Sequence, residues 1–83
     1  MREQFTVDYL LLRGWVEEQI DDQPVREGMY RFYTKGKYKI RTRRNMFPLE
    51  IELFKDNKLI MCSYITTVAM WKVKTKKFNE RNF

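Results

Sequence analysis

The chain has 83 residues, 43% hydrophobic and 16% aromatic, with 17 Lys plus Arg against 11 Asp plus Glu, one cysteine and no histidine. That length predicts one small domain, residues 1–83, whose thin core leans on aromatic side chains that each bury about 150 to 250 Å². A lone Cys62 closes no internal disulfide and builds no cysteine zinc cluster, and the lack of histidine excludes Ser-His-Asp and Cys-His catalysis together with the commonest metal ligand.

No apolar run approaches the roughly 18 residues of a membrane span. The opening "MREQFTVDYLLLRG" is too short an apolar segment, interrupted by Asp8, to serve as a secretory signal. These features predict a cytoplasmic protein without a membrane partner, cofactor or metal. The net charge of +6 is unevenly spread: residues 1–27 carry three Arg against seven acids, and residues 28–83 carry 14 Lys plus Arg against four. A charge concentrated in this way bears on partners and association rates, and not on the fold.

In chain order, "TVDYLLLRGW" reads as a short helix, with Thr6 as its cap, Asp8 against the positive end of the dipole and Gly14 as the left-handed stop. Val7, Leu10 and Leu11 form its expected inward face. "WVEEQI" alternates and predicts a first strand that ends in the polar turn "DDQP".

"GMYRFYT" and "KYKIRTR" predict a hairpin. A three-residue loop, Thr34 to Gly36, puts glycine at the left-handed position and pairs Tyr33 with Lys37. Tyr30 and Phe32 then share one face with Tyr38 and Ile40, and Arg31 and Tyr33 share the other with Lys37 and Lys39. A four-residue loop, Arg44 to Phe47, leads to "PLEIELF", in which Leu49, Ile51 and Leu53 point inward. An Asp56-Asn57 primed turn then sets Leu53 opposite Ile60, Ile51 opposite Cys62 and Leu49 opposite Tyr64, so that Cys62 is buried. The last segment reads two ways: "WKVKTK" alternates like a strand, whereas a helix starting at Thr66 or Thr67 places Val68, Trp71, Thr75 and Phe78 on one stripe, with Lys74, Lys76 and Lys77 near its negative end, and the helix is the reading taken.

The predicted fold is therefore α+β: an antiparallel sheet of about five strands flanked by short N- and C-terminal helices. This layout looks like that of many short bacterial and phage open reading frames, and it carries no diagnostic motif.

The chemistry points to binding. "KGKYKIRTRR" repeats a cation at every second position, which on a strand aligns Lys37, Lys39, Arg41 and Arg43 in a row about 20 Å long. With Arg31, Arg44 and an exposed Tyr33, the row predicts nucleic-acid binding of little sequence preference, by phosphate contacts and base stacking. A competing register pairs Arg43 with Pro48, which sets Arg41 opposite Glu50 and Lys39 opposite Glu52 and so neutralises half of the row.

The alternative function is a protein-interaction module, whether small inhibitor, adaptor or homodimer. It docks, in one version onto an acidic protein surface, through Met29, Phe54, Leu59 and Met61 on the same sheet face. An enzyme is not expected. Glu50 and Glu52 share a face, but neighbouring cations favour their ionised forms, which suits ion pairing and not proton donation. The acids Glu17, Glu18, Asp21 and Asp22 lack the spacing and glycine of a calcium loop, and they read as a solvated turn able to fold back on the basic sheet.

Overall fold

The computed structural model describes residues 4–18, 30–43, 49–78 and 83. Its elements are α1 (Val7–Leu12), β1 (Val16–Glu18), β2 (Tyr30–Lys35), β3 (Tyr38–Arg43), β4 (Leu49–Lys55), β5 (Lys58–Ile65) and α2 (Val68–Thr75), then a 3-10 turn at Lys76–Phe78. The strands form one antiparallel sheet in the order β1-β2-β3-β4-β5, and the helices pack their buried residues against one of its faces. This is the expected α+β fold.

Helix α1 ends for a visible reason. Gly14 takes φ +94°, Trp15 N–H donates to the Leu10 carbonyl at 3.0 Å and Gly14 N–H to the Leu11 carbonyl at 3.1 Å, the two bonds of a Schellman stop. The helix buries Tyr9 and Leu10, whereas Leu11 is exposed, against expectation. Tyr9 wins the inward position because Phe5, one turn earlier, lies against it with ring centroids 5.6 Å apart and anchors that side to Trp71 at 5.3 Å.

Two turns set the faces of the sheet. The β2–β3 turn is the pair Gly36-Lys37, not the three residues Thr34 to Gly36, and Lys35 pairs with Tyr38. Gly36, at φ +58°, occupies the first central position, where a II′ hairpin demands glycine. That change of loop length reverses the parity of β2 relative to β3. Tyr33 pairs with Ile40 and is 1% exposed, while Tyr30 and Phe32 turn outward beside Arg43 and Arg41.

The β4–β5 turn is Asp56-Asn57, as expected, with φ values of +50° and +66°. After Phe54 pairs with Leu59 the register shifts, and Leu53 meets Met61, so Ile60 is the extra residue of a bulge. Every later side chain on β5 changes face relative to the unbulged register. Met61 and Ile65 are buried, and Cys62 and Tyr64 are exposed. Cys62 is therefore not a core residue.

Between the inner sheet face and the helices lie Tyr33, Tyr38, Ile40, Ile51, Leu53, Met61 and Ile65, covered by Leu10, Trp15, Val68 and Trp71. Helix α2 follows expectation: Thr67 caps it by accepting from Met70 N–H at 3.1 Å, Val68, Trp71 and Thr75 are buried, and Phe78 packs against the core. Phe83 closes the cluster, with ring centroids 4.8 Å from Tyr38, 5.7 Å from Trp15 and 6.1 Å from Trp71.

Candidate functional site

The other face of the sheet carries the candidate site. Strand β3 projects Lys39, Arg41 and Arg43 onto it, a row of about 13 Å. Lys37 is not in this row, because it lies in the tight turn, where its carbonyl accepts from Asp56 N–H at 3.1 Å. Arg31 is not there either. It shares the inner face with its ladder partner Thr42 and pairs with Glu17 at 3.3 Å near the β1 edge. Tyr33 is buried, so it offers no stacking surface there; Met29 and Arg44 lie outside the described residues.

Each of the three cations has a carboxylate. Arg41 Nε donates to Glu52 Oε1 at 2.7 Å, Arg43 stands 3.9 Å from Glu50, and Lys39 lies 3.4 Å from Glu18. The ladder explains the first two, since Arg41 is opposite Glu52 and Arg43 opposite Glu50, two residues along from the competing register. The third comes from β1, the start of the acidic run. The described part of this face is therefore close to neutral.

Aromatic rings fill the space between the charges. The Arg41 guanidinium is 4.4 Å from the Tyr30 ring centroid and 5.9 Å from that of Phe54, Arg43 is 5.5 Å from Tyr30, and Lys39 is 5.9 Å from Phe32. Leu59 and Tyr64 on β5 are 53% and 52% exposed, and Val16 on β1 is exposed as well. Of the apolar residues expected outside, Phe54 and Leu59 are there, and Met61 is corrected to the core by the bulge. Sequence reasoning missed Tyr30, Phe32 and Tyr64. Their signal is ambiguous until the turn and the bulge are placed, because β2 has aromatics on both parities and β5 has apolar side chains on both.

Among the described residues no group of three metal-ligating side chains is assembled, and no helix is long and apolar enough to cross a membrane. A compact α+β domain with an exposed, aromatic sheet face is consistent with a binding module. Comparison with protein-family models, with curated proteins and with solved structures finds no match for this chain.

Proposed function

We propose that the chain is a non-enzymatic protein-binding module that docks through the outer face of its sheet. One observation supports this above others: the face combines rings and guanidinium groups with charges that already neutralise one another. A polyanion gains little there, because each cation it engages must first leave a carboxylate. A protein surface loses nothing by the balance and buries Leu59 and Phe54 together with Tyr30, Tyr64 and, in the middle, Arg41, and Tyr and Arg are types enriched where interfaces bind most tightly.

The test is to replace Leu59 and Tyr64 by Glu, two half-exposed positions where the fold loses little. The reading expects a cooperative melt with complex formation abolished, and equal complex formation before and after would overturn it.

A second reading, nucleic-acid binding, draws support from a different place. Among the described residues Lys37, Lys55, Lys58 and the lysines from Lys72 to Lys77 form no ion pair, and Lys55 and Lys58 stand directly opposite each other on the ladder. Like charges held together that way favour a polyanion at the hairpin tips and along α2. If about four phosphates are engaged, log K against log salt falls with a slope near −3 on single strands. A flat salt dependence would remove this reading.

A further inference from the structure

Rows of side chains cross the outer face in a telling order. Strand β2 presents Tyr30, Phe32 and Thr34, β3 presents cations, β4 presents Glu50, Glu52 and Phe54, and β5 presents Leu59, Cys62 and Tyr64. Reversing this order about the line between β3 and β4 lays Tyr30 on Tyr64, Phe32 on Cys62 and Thr34 on Leu59, and it lays Arg41 and Arg43 on acids and Lys39 on the Phe54 ring. That reversal is the operation of a two-fold axis running along the strands between two stacked sheets. A face that is complementary to its own reversal is what an isologous dimer requires.

We infer that the partner of this face is a second copy of the chain, related by such an axis between β3 and β4, an inference that rests on the protein-binding reading above. Rotation about an axis parallel to the strands leaves each residue at its own height. Residues level with one another in one chain therefore meet across the interface. Arg41 is level with Glu52, so Arg41 of one copy lies over Glu52 of the other; Arg43 likewise lies over Glu50, and Tyr30 over Tyr64.

The existing ion pairs become alternating four-membered networks, in which each carboxylate removed from water has cations on two sides. That arrangement is what a desolvated charge needs. Arg43 is ready for it: its side chain is 43% exposed and its Glu50 carboxylate stands 3.9 Å away, so the terminal guanidinium nitrogens have donors to give to a second Glu50. A strongly acidic or strongly basic partner would break this balance, whereas a second copy extends it.

The four strands β2 to β5 that meet their counterparts cover about 20 Å along the strands and about 14 Å across, smaller than a standard specific interface, which sets the dimer among weak, transient ones. The test is sedimentation of the whole chain from about 1 to 300 µM, a span that brackets such an affinity. Three proteins are compared: wild type, the R41E/R43E chain and the E50K/E52K chain. Wild type is expected to move from one chain mass to two. Each variant alone is expected to remain a monomer, and an equimolar mixture of the two variants to form a heterodimer, because one face is then largely acidic and the other largely basic.

Wild type that stays monomeric throughout, variants that associate as wild type does, or a mixture that does not associate would each overturn the inference. Should the charge variants fail to melt cooperatively, Leu59→Glu and Tyr64→Glu take their place, and each must weaken dimerisation at least tenfold. A monomeric wild type whose binding of a different protein is abolished by Leu59→Glu overturns the dimer while leaving the docking face in place. Indifference of all binding to Leu59→Glu overturns both.

Discussion

Arg41 holds Glu52 across the β3–β4 ladder at 2.7 Å while its guanidinium lies 4.4 Å from the ring centroid of Tyr30. The Glu52 side chain is 14% exposed, so the pair sits in partly desolvated surroundings. Replacing Arg41 by Ala leaves that carboxylate without its donor and uncovers Tyr30, and the expected loss is about 1 to 2 kcal/mol after allowing for solvent at Arg41. Arg41→Lys is expected to recover less than half of it, since an ammonium matches neither the stacked ring nor the two donors. Urea midpoints at constant m-value measure this, and a full recovery by Lys would show that charge alone matters.

Thr42 presents the opposite situation. Its side chain is 1% exposed on the inner face, and its hydroxyl has no hydrogen-bond partner. Thr42→Val removes an unpaired polar group without changing shape, and is expected to stabilise the protein by about 1 kcal/mol. A loss of stability would mean that the hydroxyl has a partner in solution.

Phe83 lies against Trp15, Tyr38 and Trp71. Phe83→Ala opens a cavity among these three rings, with an expected cost of about 3 kcal/mol or more, a large share of the total stability of so small a domain. Thermal unfolding followed by tryptophan fluorescence reads it directly, and a change below about 1 kcal/mol would place the ring outside the core.

The Asp56-Asn57 turn holds two residues at positive φ. Asparagine tolerates that conformation and alanine does not, so Asn57→Ala is expected to cost about 1 kcal/mol, with Asn57→Gly neutral or slightly stabilising. If the two substitutions proved equivalent, a primed turn there would be ruled out.

Several of these features were legible in the sequence, and the exceptions share a cause. Strand β3 could be read because "YKIRTR" separates cations from Tyr38, Ile40 and Thr42 by parity alone. Helix α2 was half legible: the Thr67 cap and the Val68, Trp71, Thr75 stripe pointed to it, but "WKVKTK" alternates equally well as a strand. Strand β2 could not, because "YRFYT" has aromatics on both parities and one residue of turn length decides which face receives Tyr33. Strand β5 failed likewise: "KLIMCSY" is apolar on both sides, and no glycine marks the bulge at Ile60. The cationic row was visible as a row. Its neutralisation was only half visible, since Glu18 reaches Lys39 from β1, on the far side of β2.

Cys62 is the only thiol, and it stands exposed on the outer face, level with Glu52 and Arg41. Its alkylation rate in the native protein therefore reports both the register of β5 and the covering of the docking face. In dilute solution the rate is predicted to lie within about tenfold of the unfolded chain's, to fall as the protein is concentrated, and not to fall for the R41E/R43E chain. A thiol that is inert in dilute native protein would place Cys62 inside the core, and would contradict both the bulge and the face built upon it.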